Sequence, residues 1–258
     1  MKKLYTITSF VLVSVISFAQ VTNISFPEPT EISTKTFKSN NIYSSSAEKS
    51  TPFWSEDFSD GIPLNWEEGH AGGTASAPWI YRGPNTTPDV NTGSQGAYRG
   101  SQGPIMSSTA ANGFLIFDSD FYDNGGNAGA FGTGQYPANT PAIPGHVGTL
   151  ITDTIDCSIY PHISIVFNSF YRTFAGNAQI AFSNDGGATF TTPIDVHPGV
   201  DVNEQTSNDY EIMIRMPDTI AGSTTVKMKF IYDGFTTAVS GYYGYYFWMI
   251  DDIRLIEI

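Results

Sequence analysis

The chain has 258 residues and carries 25 acidic side chains against 12 basic ones, giving a formal net charge of −13. So few Lys and Arg side chains exclude nucleic acid and anionic membrane surfaces as expected partners, whereas divalent cations are attracted. Cys157 is the only cysteine, so no intramolecular disulfide can form. We interpret this thiol as a packed and inert side chain.

Residues 1–19 are predicted to be a secretory signal peptide. Lys2 and Lys3 precede an apolar run from Leu4 to Phe18. The small residues Ser17 and Ala19 occupy the two positions before the cleavage site that a signal peptidase recognises. The run is too short to span a bilayer stably. The sequence therefore predicts export, cleavage after Ala19, a secreted or cell-surface location, and no membrane insertion once the leader is removed.

The remaining chain divides into a linker and one domain. Residues 20–52 are rich in Ser, Thr, Asn and Lys without a sustained apolar period, which is typical of a flexible linker. From residue 53 to 258, apolar and polar residues alternate with period two, as in Val226–Tyr232. About ten to twelve short strands separated by Gly, Pro, Asn and Asp predict an all-β fold. We expect a two-sheet antiparallel jelly-roll sandwich, concanavalin-like, with long Gly/Pro-rich loops between residues 83 and 148.

Acidic residues stand between apolar ones in the first and last strands of this domain. The first strand contains Glu56 and Asp57, and the last contains Asp251 and Asp252. A carboxylate in such a strand needs a partner, and calcium prefers carboxylate and carbonyl oxygens. We therefore predict a structural calcium ion that joins the two strands through Glu56 or Asp57 and through Asp251, with Asp252 as a further candidate ligand. The alternative is that Asp251 and Asp252 merely end a strand, capping a turn or facing water.

A second acidic segment runs from Asp118 to Gly125. Its carboxylates resemble a calcium loop in chemistry, but the EF-hand spacing fails because Tyr122 occupies the fifth position. Asp118 is accordingly a fifth candidate metal ligand. The alternative is a solvated turn, for which Asp, Asn and Gly are the usual residues.

One hairpin is predicted from a local motif. Ser183–Phe190 resembles the Asp-box, S-x-D-x-G-x-T-[WF], in which Ser183 and Asp185 brace the turn. No second copy follows at the period of about 40 to 50 residues that a propeller requires. The motif is therefore interpreted as structural.

Tyrosines supply the candidate ligand-binding residues. Aromatic rings stack on the C–H faces of sugars, so the run from Tyr242 to Trp248 either exposes rings for a ligand or alternates into the core. The expected partner is a glycan or a cell-surface protein. The candidate ligand-binding residues are Tyr98, Tyr122, Tyr136, Tyr243 and Tyr245.

The sequence contains none of three motifs that would indicate a glucanase, a zinc enzyme or a serine hydrolase. The glucanase pattern E-x-D-x-E, the zinc motif H-E-x-x-H and the serine elbow G-x-S-x-G do not occur. The four histidines are interpreted as loop or surface residues. We therefore predict that the protein is not an enzyme.

The order of several weak motifs resembles the MAM-like jelly-roll modules of Bacteroidetes secreted proteins, of the cleaved-adhesin or choice-of-anchor J type. This resemblance implies structural calcium, with Glu56 and Asp57 at the opening acidic position and Asp251 at the first Asp of the closing I-D-[DN]-[IV] motif. It also implies a non-catalytic adhesion or carbohydrate-binding module; the alternative is a purely structural component of an extracellular assembly. The motifs are Phe53–Phe58, Asp60–Trp66, Trp79–Tyr81, Gly113–Phe117, Leu150–Asp156, Ile163–Phe167, Asp185–Gly187 and Trp248–Ile253.

Overall fold

The computed structural model describes residues 51–72, 77–131, 145–235 and 245–258. The predicted leader, nearly all of the predicted linker, and the candidate residues Tyr136 and Tyr243 lie outside these ranges. The described residues form eleven strands and one short helix, α1 (Ser119–Asp123). The strands are β1 (Trp54–Glu56), β2 (Glu67–Gly72), β3 (Ile80–Arg82), β4 (Phe114–Asp118), β5 (His146–Ile151), β6 (Ile163–Phe174), β7 (Asn177–Ser183), β8 (Ile194–Asp195), β9 (Glu211–Arg215), β10 (Lys227–Asp233) and β11 (Tyr245–Glu257).

The strands form two antiparallel sheets, which confirms the predicted jelly-roll sandwich. Sheet A has the order β3-β4-β11-β6-β9, and β1 also pairs with β11. Sheet B has the order β2-β5-β10-β7-β8. Consecutive strands often cross from one sheet to the other, so the core is built from residues distant in sequence. Among the described residues, no helix is long and apolar enough to cross a lipid bilayer.

The period-two alternation places the apolar side chains between the sheets. In β10, Phe230 and its apolar neighbours point inward and are buried, whereas the lysines between them remain partly exposed. Trp248 of β11 lies between the sheets, with ring centroids 5.4 Å from Trp79 and 6.1 Å from Phe230. Cys157 belongs to the same core. Cys157 is 0% exposed, which confirms that it is a packed side chain, and burial raises the pKa of its thiol to about 11.

Strand β11 changes its pairing partner in the middle. On one side it pairs with β6 along most of its length, and on the other side it pairs first with β4 and then with β1. Asp251 and Asp252 lie between these two partners, at a bulge in the register with β6. Because β11 continues through both residues, the strand-end alternative is wrong.

Candidate functional site

The end of β1 and the bulge of β11 enclose a cleft of about 620 Å³. Glu56, Asp57, Asp60 and Asp252 line this cleft together with Thr109. The Glu56 carboxylate accepts a hydrogen bond from the Phe58 amide at 2.7 Å, and the Asp57 carboxylate accepts one from the Ser59 amide at 3.1 Å. Glu56 is there because β1 pairs with β11, with Glu56 opposite Ile253. The structure therefore brings three of the five predicted metal ligands together from opposite ends of the domain. We call this space the β1–β11 cleft.

The two aspartates of the bulge hold a segment of the long loop before β4. Asp251 is 0% exposed, and its Oδ2 accepts hydrogen bonds from Ser107 Oγ and from Thr109 Oγ1, the latter at 3.2 Å. Asp252 accepts from the Ser108 amide at 3.1 Å, from Ser108 Oγ, and from Thr109 Oγ1 at 2.7 Å. The Thr109 hydroxyl therefore lies between the two carboxylates.

Sequence reasoning missed these hydroxyl partners of the bulge. Ser107 is 144 residues away from Asp251, and consecutive hydroxyl residues in a Gly/Pro-rich loop carry no local sign of such a contact. Asp251 Oδ1 is also buried, without a hydrogen-bond partner among the described residues. One oxygen of the buried Asp251 carboxylate therefore lacks the hydrogen bond that buried polar atoms usually have.

The charges around the cleft are not balanced. Burial raises the pKa of Asp251 to about 7, and burial likewise raises the pKa of Glu56, with a further contribution from the charge of Asp57. Arg254 also lines the cleft, but its guanidinium binds Glu211 at 2.5 Å. The cleft therefore favours a cation.

The donor groups of the cleft suit a hard cation but do not enclose one. In the part of the chain that the structure describes, no three His, Cys, Asp or Glu side chains are placed to hold a metal ion together. The groups of the cleft that could bind a cation are oxygens, whereas the unpaired Oδ1 belongs to Asp251, which does not line the cleft. Calcium takes about six to eight oxygen ligands, so carbonyls, hydroxyls and water would complete its shell. Calcium binding stays a prediction.

Asp118 lies away from the β1–β11 cleft, in a buried polar cluster of its own. It is 0% exposed and accepts hydrogen bonds from Ser94 Oγ and from the Gln95 amide, each at 2.6 Å. Arg82 Nη2 lies 3.8 Å from its Oδ2. The segment that follows forms α1 and is largely buried, so the solvated-turn alternative is wrong. These contacts account for the burial of Asp118 through the protein's own donors.

The described candidate tyrosines differ in exposure. Tyr98 is partly exposed, and its amide donates to Asp120 Oδ2 at 3.0 Å. Tyr122 is 8% exposed, and its hydroxyl donates to the carbonyl of Pro78. Tyr245 is buried together with residues 246–248, so the described part of the aromatic run is buried on both faces of its strand. Of the described candidates, only Tyr98 is not buried.

Two histidines are buried, which contradicts the expectation that all four are loop or surface residues. Ser169 Oγ and His197 Nε2 lie 2.7 Å apart, and Ser119 Oγ and His146 Nδ1 lie 2.8 Å apart. Both pairs resemble a nucleophile and its base, but both are closed off within the fold, and Ser169 also accepts from Trp248 Nε1 at 2.8 Å. Burial lowers the pKa of His197 to about 3 and that of His146 to about 4. Each pair gives a buried serine hydroxyl a partner, although His146 Nε2 is buried without one among the described residues.

The Asp-box hairpin has the predicted bracing contacts. Asp185 accepts hydrogen bonds from the Thr189 amide at 2.9 Å, from Thr189 Oγ1 at 2.6 Å and from Ser183 Oγ at 2.7 Å. These bonds hold the pKa of Asp185 far below its ordinary value. The structural interpretation of this motif is confirmed.

Comparison with known proteins gave structural similarities only. No protein-family model and no curated protein matches the chain. The K1 cleaved-adhesin domain of Lys-gingipain from Porphyromonas gingivalis W83 is 15% identical, with a TM-score of 0.43, covering 80% of this chain and 98% of that chain. TmCBM61 in complex with β-1,4-galactotriose is 14% identical, with a TM-score of 0.38 and coverage of 78% and 94%. The CBM27-1 of Caldicellulosiruptor saccharolyticus in complex with mannohexaose is 12% identical, with a TM-score of 0.31 and coverage of 79% and 96%.

Proposed function

We propose that this protein is a secreted, non-catalytic carbohydrate-binding or adhesion module, and that a calcium ion in the β1–β11 cleft joins its first and last strands. One observation carries the proposal: Glu56, Asp57 and Asp252, which are distant in sequence, line the same cleft. An ion held there would compensate the repulsion among the carboxylates that line the cleft. Carboxylates and hydroxyls that line an open cleft are also suitable acceptors for the hydroxyl groups of a glycan.

The buried Ser–His pairs favour a non-catalytic role. A serine nucleophile must reach its substrate, whereas Ser119 and Ser169 are each 0% exposed. Neither residue lines the β1–β11 cleft. Recognition of a ligand in the cleft needs neither pair.

Removal of calcium is expected to lower the melting temperature. If the ion binds only the folded state, it contributes on the order of 3 kcal/mol at about a hundredfold excess over Kd, which is roughly 5 to 10 °C for a domain of this size. Asp252→Asn should lower the melting temperature in calcium and largely abolish the effect of a chelator, because it removes a charged oxygen that lines the cleft at nearly constant volume. Differential scanning calorimetry with calcium and with EGTA measures both effects.

The matched control is Asp185→Asn in the Asp-box hairpin. This variant loses bracing contacts far from the cleft in sequence, so its melting temperature should fall by roughly 2 to 4 °C while its response to EGTA stays intact. Identical melting curves of the unmodified protein in calcium and in EGTA would contradict the calcium site.

Glycan binding is tested on an array of oligosaccharides, with calcium and with EGTA. Calcium-dependent retention of one group of related sugars is the expected result. If no sugar is retained under either condition, the structural-component alternative replaces the binding role.

A further inference from the structure

Strand β9 (Glu211–Arg215) forms one edge of sheet A. It pairs with β6 on one side, and in the described part of the chain no strand pairs with its other side. Such an edge leaves a row of N–H and C=O groups with which a further strand can pair. Of the other sheet ends, β3 and β8 have three and two residues, and β2 contains two glycines, which weaken a strand. The β9 edge is therefore the best suited to receive another strand.

The register with β6 determines which backbone groups of β9 point outward. The Met216 amide donates to the Ile163 carbonyl at 2.9 Å, and the pairing continues from there along β9 without a shift in register. Hydrogen-bonded and non-hydrogen-bonded residue pairs alternate in an antiparallel ladder. Residues 212, 214 and 216 therefore direct their backbone groups toward β6, whereas Glu211, Met213 and Arg215 direct theirs away from it.

The sequence of β9, Glu-Ile-Met-Ile-Arg, is complementary to itself in the antiparallel direction. With Met213 of two copies opposite each other, Glu211 of each copy lies opposite Arg215 of the other. Ile212 then lies opposite Ile214. This register joins the three residues whose backbone groups point outward, so the ladder of hydrogen bonds is complete. It also places opposite charges across the two strands, an arrangement that stabilises strand pairs.

The neighbouring charges extend this complementarity. Within one copy, Glu211 pairs with Arg254 at 2.5 Å and Arg215 pairs with Asp218 at 2.7 Å, and all four side chains are partly or largely exposed. A contact between Glu211 of one copy and Arg215 of the other joins these two ion pairs. Every charge in the resulting row then lies beside charges of opposite sign.

The apolar layer of β9 is continuous across the same contact. Ile212 and Ile214 pack against the core between the sheets. In the antiparallel register these isoleucines of two copies are neighbours on the same face of the joined sheet. The contact therefore matches in its backbone, its charges and its apolar side chains.

We propose that two copies of this chain associate through β9, antiparallel about a two-fold axis at Met213, so that their A sheets form one continuous sheet. The partner is a second copy because the charges at the two ends of β9 match β9 itself in the register that the backbone requires. The contact is short, so the dimer is weak and forms at high protein concentration. The proposal depends neither on the β1–β11 cleft nor on an ion.

The first test exchanges the charges at the ends of β9. Arg215→Glu gives a strand with two acidic ends, and Glu211→Arg gives one with two basic ends. Each variant should self-associate at least about tenfold more weakly than the unmodified protein, whereas an equimolar mixture of the two should form mixed dimers. Sedimentation equilibrium between about 10 µM and about 1 mM measures the association, and circular dichroism melting curves verify that both variants are folded.

Two results of this test overturn the proposal. One is an unmodified protein that stays monomeric up to about 1 mM. The other is a mixture that associates no more strongly than its two components alone, which would leave the charges only the role of protecting the edge from other strands.

The second test places a cysteine on the proposed two-fold axis. Directly opposite residues of a hydrogen-bonded antiparallel pair have Cα atoms about 5.5 Å apart, a distance that a disulfide spans. Met213→Cys should therefore give a disulfide-linked dimer in oxidised glutathione, and the native Cys157 does not compete because it is 0% exposed. The control is His70→Cys, at an exposed position on the edge strand β2. We expect linkage at least about tenfold faster for Met213→Cys; equal rates overturn the proposal.

Discussion

Asp251 and Asp252 are adjacent in β11, yet only Asp252 lines the cleft. The bulge separates their directions: Asp251 is 0% exposed, whereas Asp252 is partly exposed and has a φ of +52°. Asp is among the few residues that enter this left-handed region readily. The sequence Asp-Asp thus provides one carboxylate for the interior, one for the cleft and the backbone conformation that divides them.

Thr109→Val tests the hydroxyl that lies between these carboxylates. The valine keeps the shape of the side chain but removes the donor that contacts both residues. We expect the free energy of unfolding in EGTA to fall by about 1 to 2 kcal/mol, measured by urea denaturation. Thr154→Val at an exposed loop position is the control, and an equal effect of both substitutions would contradict the bridging role.

Among the elements, the loop before β4 has the predicted irregular backbone but is held by contacts that were not predicted. Residues 83–113 contain no regular strand within this stretch, as predicted, but Ser94 and Gln95 are fixed by Asp118. Gly96 is required there, because a Cβ atom would lie 2.2 Å from the backbone nitrogen of Phe121. The acidic residues around α1 thus order this loop, a role that their resemblance to a calcium loop did not suggest.

Asp118→Asn is expected to destabilise this element strongly. The new amide group would face the donors of Gln95 and Arg82, and Arg82 would be left as an uncompensated buried charge. The free energy of unfolding should fall by about 3 kcal/mol in guanidinium denaturation. Arg82→Met combined with Asp118→Asn should recover part of this loss; a double variant less stable than Asp118→Asn would contradict the pairing.

The fold could be predicted further than the site, for a physical reason. The alternation of apolar and polar residues in segments such as β10 predicts which side chains are buried. The Asp-box hairpin is closed by contacts between residues close in sequence, such as Ser183 and Asp185. The convergence of Glu56 on the bulge was also predictable, because acidic residues in apolar strands are rare. The Ser107 contact and the burial of His197 depend on long-range packing, which a single sequence does not encode locally.

For the whole molecule, stability should depend on pH even without an ion. Burial raises the pKa of Asp120 to about 8 and that of Asp251 to about 7. The folded state therefore binds more protons than the unfolded state between about pH 4 and pH 8, so stability falls as the pH rises through this window. In EGTA, the free energy of unfolding should decrease by on the order of 2 kcal/mol from pH 6.5 to pH 8.

The buried histidines oppose this trend at lower pH. His146 and His197 have lowered pKa values in the folded state. Below about pH 6.5 these histidines therefore bind protons in the unfolded state but not in the folded state. The increase in stability on acidification should therefore become shallower below pH 6.5. Denaturation curves of Asp120→Asn and Asp251→Asn between pH 6.5 and 8 provide the check: a slope unchanged in both variants would contradict the assignment.

The pairing of β11 with β6, β4 and β1 has a consequence for the order of folding. This strand is central to sheet A but is the last of the described strands to be synthesised. Until residues 245–258 are available, three earlier strands of sheet A expose unpaired backbone edges that favour aggregation. Sheet A can therefore close only after β11 has left the ribosome, through contacts of very high sequence separation, which makes slow folding after synthesis the expected behaviour of this domain.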